Sequence, residues 1–286
     1  DFLFSNESYQ TIFEEHLDDS GIYGTIRNLR NFVRREEVFR TWDRYIDQIQ
    51  EWTEQQEQPY FLWIFSLDTH FPFLTPRSER KYTNMFDQYY YNWISNKVID
   101  QANPDLSART WEKMVDIYDD SIQFADKLIP ELQSRLSADD PVIIAHSDHG
   151  EAFGEHGMFG HFYPAQYEEN IHVPTVAWSS DCDSMTVSQP FSLLDMPEYI
   201  IQGATKGNLT NPPTQSAAIL SDYDGRRERN VIAARSADTK YMFEESPETT
   251  TEGYYRLETR DGGDVQEIKM DRGPDVLRKK VVRRNQ

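Results

Sequence analysis

The sequence predicts an α/β/α layered domain, a three-layer sandwich built on a mixed, largely parallel sheet, and three observations carry that expectation. Nearly unbroken apolar runs at Tyr60 to Leu67 and Val142 to Ala145 have the composition of buried strands, and Thr175 to Trp178 reads as a third short strand. Apolar residues recur at helical spacing over 41–58, 108–136 and 187–202, so helices alternate with the strands, the pattern of a layered α/β domain. Two of the runs end abruptly in polar turns that carry histidine, and in open α/β sheets that edge is where ligands sit.

Residues 1 to 40 are polar; Ser5-Asn6-Glu7-Ser8 offers a helix start towards His16, and Asp18-Asp19-Ser20-Gly21 reads as a turn. Arg27, Arg30, Arg34 and Arg35 recur at helical spacing, the mark of a solvated face more than of an anion site. From Thr41 to Gln58, Trp42, Tyr45, Ile46, Ile49 and Trp52 keep a helical period, with Thr41 as N-cap and Pro59 as the stop. The strand from Tyr60 then runs out into Asp68-Thr69-His70-Phe71-Pro72-Phe73, where a lone loop histidine is either a site residue or merely structural. Tyr82, Phe86, Tyr89, Tyr90, Tyr91 and Trp93 form an aromatic cluster that packs over the sheet or offers stacking faces to a sugar ring, packing being the simpler reading. A long helix follows, Ala108 to Leu136, which Pro130 is expected to kink or split, with Asp119, Asp120 and Asp126 on its solvated side. After the strand at Thr175 to Trp178 come an amphipathic helix within Val187 to Gln202 and a loop at 203–214. Short extended runs then appear at Ala217 to Leu220, Val231 to Arg235, Lys240 to Phe243 and Tyr254 to Leu257. The basic run from Arg278 to Arg284 reads as a frayed helix end or tail.

The most informative stretch runs from Pro141 to Pro174 and holds five of the seven histidines, interleaved with Asp148, Glu151, Glu155, Glu168 and Glu169. Ser147, Asp148 and His149 are expected at the carboxyl end of the strand, with Gly150 letting the chain turn away. An adjacent Asp and His can place a carboxylate oxygen and an imidazole nitrogen on one cation, donors that suit Zn²⁺ or Mn²⁺ better than Ca²⁺. The same pair alone also describes a capped turn beside an ordinary surface histidine. Glu151 and His156 are candidates to orient the ligands, although Glu151 and Glu155 read more simply as exposed turn residues.

Composition narrows the partners. The 286 residues carry 49 acidic and 29 basic side chains and a formal net charge of −20, which repels nucleic acid and anionic membranes. Only nine of the basic residues are Lys, a balance that resembles proteins of a high-salt cytoplasm or medium. No apolar run is long enough to span a membrane, so a soluble protein is expected. The single cysteine, Cys182, excludes an intrachain disulfide. A start at Asp1 instead of Met suggests a trimmed product or fragment.

S-D-H-G-E-x-F-G-E-H-G from Ser147, then Gly160-His161, then Y-E-E-N-I-H-V-P from Tyr167, resembles the carboxyl-side signature of the sulfatase branch of the alkaline phosphatase superfamily. The resemblance implies that Asp148 and His149 bind the active-site divalent cation, Ca²⁺ most often, with Mn²⁺, Zn²⁺ or Mg²⁺ as alternatives. It places His161 against the sulfate and leaving group, and through the D-x-H-x-P-[FY] element it places His70 near the sulfate. His172-Val173-Pro174 stands where the family has R-V-P, which loses one expected cation. The helix containing Y-D-D-S-I and the segment P-F-S-L-L-D-M-P-E-Y-I-I also resemble family elements, the latter with Glu198 where Thr is usual. The extended runs after residue 211 resemble the small antiparallel carboxyl-terminal subdomain of sulfatases, which divides the chain into 1–210 and 211–286.

The implied activity is metal-dependent hydrolysis of a sulfate ester, on a sulfated or phosphorylated small molecule or glycan. A phosphatase, phosphodiesterase or phosphoglycerol transferase of the same superfamily is the alternative, and a catalytically inactive binding protein of this fold is a third. The family's nucleophile motifs, C-x-P-x-R or S-x-P-x-R, do not occur; Cys182 sits in C-D-S-M-T and reads as a buried or inert thiol. The resemblance covers roughly residues 41 to 260, the latter half to two-thirds of a typical member.

Overall fold

A computed structural model describes residues 41–99, 101–136, 140–161, 166–180, 183–206, 209, 212–224, 228–259 and 265–282. The expectations for residues 1 to 40, for Cys182 and for Arg283 and Arg284 lie outside them.

A 3₁₀ turn at Trp42–Arg44 leads into helix α1 (Ile46–Glu54), which buries Ile46 and Ile49. Thr41 makes no side-chain cap; the opening N–H of Trp42 is instead taken by Asp68 Oδ1 at 3.2 Å. The loop that carries His70 is thereby tied to the start of this helix. Asp68 is itself held by Ser66 Oγ at 2.5 Å. Tyr60 to Leu67 departs from the prediction: among the described residues it has no strand partner. Leu62 and Ile64 pack on Trp42, Phe124 and Leu132, while Phe61 and Trp63 are 70% and 78% exposed. An extended chain alternates its side chains between two faces, and here only one face is covered.

Helix α2 (Met85–Val98) starts from a capping box between Asn84 and Asp87. Its polarity is inverted. Gln88, Asn92 and Ser95 are buried, whereas Phe86, Tyr90 and Trp93 stand in solvent and stack at 5.6 and 6.1 Å. Of the predicted aromatic cluster only Tyr91 joins the core, beside Ile94.

Helix α3 (Ala108–Ala125) is capped by Ser107, and α4 (Leu128–Arg135) follows after a break at Asp126 and Lys127. Pro130 thus falls in the first turn of a new helix, where its missing N–H costs nothing. Of the three acids assigned to the solvated side, Asp120 is fully buried. Its carboxylate accepts from the backbone N–H groups of Lys81, Tyr82 and Thr83 at 2.7, 2.9 and 3.1 Å and from Thr83 Oγ1 at 2.5 Å. A loop of three consecutive donors needs acceptors when α3 closes over it, and one carboxylate supplies them.

Strand β1 (Ile143–His146) is half-buried and pairs antiparallel with β4 (Thr175–Trp178), Ile143 opposite Trp178 and His146 opposite Thr175. Between them lie the two-residue strands β2 (Ala152–Phe153) and β3 (Phe159–Gly160), which form a hairpin, and the one-turn helix α5 (Glu168–Ile171). Every strand pairing among the described residues is antiparallel, so the predicted parallel neighbours are not formed there. Helix α6 (Met196–Lys206) covers β1, with Met196 and Tyr199 against Val142 and Ile144.

The carboxyl-terminal part is an antiparallel sheet, as expected, in the order β5 (Ala218–Asp224), β6 (Arg229–Arg235), β7 (Thr239–Glu245), β8 (Thr250–Thr259) and β9 (Val265–Met270). Helix α7 (Asp275–Val282) lays Leu277 and Val281 on Ile232, Ala234 and Tyr241. The predicted basic tail therefore begins as a docked helix, with Arg278 on Glu252 at 3.1 Å.

Replacing Asp120 by Ala strips three backbone donors of their acceptor and is expected to cost about 3 kcal/mol. The check is a fall in the urea-unfolding midpoint of Asp120→Ala, with a smaller fall for Asp120→Asn, which keeps one carbonyl oxygen in place.

Candidate functional site

An aromatic core brings two distant loops together. Phe73, fully buried, packs on Tyr118 of α3 at 5.0 Å and on Phe153 of β2 at 5.9 Å. Phe71 meets Phe159 of β3 at 6.4 Å, edge on. Asn92 of α2 clamps the backbone of Phe73 on both sides, its Oδ1 accepting from the Phe73 N–H and its Nδ2 donating to the Phe73 C=O, each at 2.8 Å. His70 precedes this pair and His161 follows β3, so the packing sets their rings 6.1 Å apart.

The turn carrying Asp148 and His149 is held from below. Gly150 donates to Asn170 O at 2.9 Å, and a Cβ at Gly150 would lie 2.1 Å from Glu169 O, so only glycine fits. Gly154, at φ +109°, turns the hairpin above the indole of Trp111. Asn170 Nδ2 also donates to Gly160 O at 3.2 Å, joining the turn, the hairpin and α5.

Around this turn the polar groups converge. Asp148 Oδ1 accepts from the His149 N–H at 3.0 Å and lies 3.8 Å from His149 Nε2. His149 Nδ1 faces Gly150 O at 3.0 Å. The His149 ring lies 3.8 Å from that of His161, whose Nδ1 is 3.2 Å from Glu151 Oε1. Asp148 and His149 are solvent-accessible, whereas the Glu151 side chain is only 7% exposed. Glu151 is thus no open turn residue; it stands behind His161, and its charge helps burial push the Tyr118 hydroxyl up to about 12. Glu155 is exposed, with its carboxylate accepting from the Phe153 N–H at 2.6 Å. Burial pushes the His70 imidazole below the ordinary histidine value, with His161 and His149 adding to the effect and the Phe71 carbonyl and Glu151 opposing it.

All four predicted site residues, His70, Asp148, His149 and His161, therefore lie together beyond the carboxyl end of β1, the His70 loop and the hairpin before His161 being joined through the aromatic core. His156 does not join them. Its ring stacks flat on Tyr167 at 3.7 Å and 6°, and its Nε2 lies 3.5 Å from Glu169 Oε2. Hydrogen bonding to Glu169 lifts the His156 imidazole above its usual value.

Under α5 runs a set of buried ion pairs that sequence reasoning did not find. Arg235 of β6 grips Glu168 with Nη2 at 2.9 Å and Nε at 3.2 Å. Lys240 of β7, fully buried, donates to Gln166 O at 2.5 Å and pairs with Glu267 of β9. His172 lies 3.7 Å from Glu168, whose permanent cation Arg235 comes from 63 positions further on, in the carboxyl-terminal sheet. Nothing in the local sequence signals that pairing, because its partner arrives from a separate sheet.

The arrangement defines an α/β domain that gathers imidazoles and a carboxylate at a strand end. The family model described as Sulfatase matches residues 3–204, and the chain belongs to the sulfatase family. No curated protein matches it. Among solved structures it is similar to the sulfatase-family protein yidJ of Bacteroides fragilis, with 15% identity and a TM-score of 0.51, over 75% of this chain and 50% of that one. A sulfatase-family protein of Bacteroides thetaiotaomicron matches at 12% identity and a TM-score of 0.44, over 73% of this chain and 50% of that one. BT1596, a 2-O GAG sulfatase, matches at 12% and 0.44 over 74% and 50%. The chain spans about half the length of these structures. Among the described residues no helix is long and apolar enough to cross a membrane.

An unfolded chain protonates His70 near pH 6.5 and the folded one only at lower pH, so folding stability falls as pH drops below about 6.5. In His70→Gln that part of the slope is expected to vanish, which urea unfolding between pH 5 and 7.5 would show.

Proposed function

We propose that this chain forms the cation-holding and anion-facing side of a metal-dependent sulfuric ester hydrolase acting on a sulfated small molecule or glycan. The observation that carries the reading is the convergence of Asp148, His149, His161 and His70 at one strand end. The donor atoms fit a divalent cation. Two ligands 3.8 Å apart subtend an angle of about 120° at an ion roughly 2.2 Å from each. The carbonyl of Gly150 fixes the His149 ring through Nδ1, leaving Nε2 on the Asp148 side. Further ligands would come from water, substrate or other parts of the full protein. Ca²⁺ is favoured by family membership, with Mn²⁺, Zn²⁺ or Mg²⁺ compatible with an imidazole donor.

A divalent cation bound there would make the attacking group more acidic and offset charge on the ester oxygens. His161, held at Nδ1 by Glu151, would hand a proton from Nε2 to the leaving alcohol. His70 donates from Nδ1 to the Phe71 carbonyl at 2.6 Å, so its neutral ring offers Nε2 as an acceptor, and it would donate to the anionic group only when protonated. Glu151 acts through His161 and is a positioning residue. The nucleophile is assigned to no residue of this sequence.

The completed domain is read as a three-layer sandwich with a mixed, largely parallel sheet, in which Tyr60 to Leu67 adds a strand, and the boundary to the carboxyl-terminal unit is placed near residue 210. The half-covered alternation of Leu62 and Ile64 against Phe61 and Trp63 supports that reading.

In the full-length protein supplied with Ca²⁺ or Mn²⁺, Asp148→Ala is expected to lose the metal held by Asp148 and His149 and at least about 100-fold in kcat/KM on an aryl sulfate, and Glu151→Gln about tenfold in kcat with KM little changed. Turnover of aryl phosphate alone would move the assignment to a phosphatase. Absence of turnover on both esters would leave a binding protein.

A further inference from the structure

A second group of ligand-type side chains lies apart from the Asp148 and His149 pair. His156, from the turn between β2 and β3, Glu169 of α5 and Glu267 of β9 each bring a ligand atom to within 4.8 Å of the other two. Two features of this group ask for a cation. The Glu267 side chain is 1% exposed, and its Oε2 is buried without a hydrogen-bond partner while Oε1 serves Lys240 and the Glu168 N–H. Glu169 Oε2 is likewise buried, and the contact it has with His156 Nε2 is long, at 3.5 Å. A buried carboxylate oxygen left without a donor is costly, and an imidazole N–H can serve one of the two oxygens at most.

The charges agree. Glu168 and Glu267 face two permanent cations, Arg235 and Lys240, while the third carboxylate, Glu169, is paired with His156, a group that is neutral whenever it acts as a metal ligand. One negative charge remains over.

We propose that His156, Glu169 and Glu267 form a second divalent cation site, of the zinc or manganese class, which fastens the carboxyl-terminal sheet to the β2–β3 turn. One imidazole and two carboxylates are a common donor set for such ions, with water completing the shell. Ligand atoms on a tetrahedral ion stand about 3.4 Å apart, so a group within 4.8 Å has at most about 1.4 Å to close. His156 can supply that movement, because its side chain is 31% exposed on a turn, and the same exposure gives water and metal a route in. The flat stack on Tyr167 already fixes the plane of the ring. Glu267 is 111 positions from His156 in sequence, so the ion would join two separate sheets.

The proposal does not depend on the ester-hydrolase reading, and the two fail separately: Asp148→Ala probes one and His156→Gly the other. His156 sits at φ 54°, where glycine is accommodated without strain, so His156→Gly removes the ligand and spares the backbone. The full-length protein is dialysed against Zn²⁺ or Mn²⁺ and then against metal-free buffer, and bound metal is counted per chain by atomic emission. In an Asp148→Ala background one equivalent is expected to remain. Adding His156→Gly is expected to abolish it, and adding Glu169→Gln to weaken binding at least tenfold. Zn²⁺ should raise the melting temperature of Asp148→Ala and leave that of the His156→Gly double variant unmoved. Metal content unaffected by both substitutions would overturn the proposal, as would an Asp148→Ala protein that retains none.

Discussion

The packing of four phenylalanines on one face of α3 is the constraint from which the site follows. Phe71 and Phe73 belong to the loop after Tyr60 to Leu67, Phe153 and Phe159 to the β2–β3 hairpin, and these segments lie about 80 residues apart in the chain. Neither loop contains enough structure to hold a histidine in place alone. Met114 and Ile117 of α3 form the floor on which both settle, and burying rings of this size stabilises each by about 2–3 kcal/mol. The histidines are then passengers on an apolar core, which suits groups that must meet a substrate with fixed spacing.

Polar groups inside the protein follow a related logic. The chain carries a large negative charge, yet three of the acids it buries are firmly engaged: Asp120 by three backbone donors, Asp68 by Ser66 and Trp42, Glu168 by Arg235. The inverted helix α2 is part of the same economy, since its buried Asn92 clamps the backbone of Phe73 and so serves the aromatic floor.

The parts legible in the sequence were those written in local pattern. The break before Pro130 followed from one residue's covalent geometry, and the antiparallel carboxyl-terminal sheet from runs with strand composition and from family likeness. The meeting of His70 with His161 could be anticipated only from family motifs, because no local feature of either loop states its distance from the other. What escaped was decided by tertiary partners. Asp120 and Glu151 look like solvated acids until the loop at 81–83 and the His161 ring are set beside them. The aromatic stripe of α2 looked like core because ring size normally predicts burial, and among the polar residues that displaced it Asn92 is needed for its hydrogen bonds to Phe73 and to the Gln88 carbonyl. Tyr60 to Leu67 read as a buried strand because hydrophobicity alone does not reveal how many faces are covered.

Arg235 on Glu168 changes the standing of the last quarter of the chain. Glu168 is almost wholly enclosed, and α5, its one-turn carrier, sits directly under the glycine that lets Asp148 and His149 turn outward. Deleting the carboxyl-terminal sheet would strand a desolvated anion beneath that turn, so a shortened protein would be crippled at a place the sheet never touches. The appended sheet is in effect a counter-ion delivered by a folding unit, and the two parts are bound to evolve together.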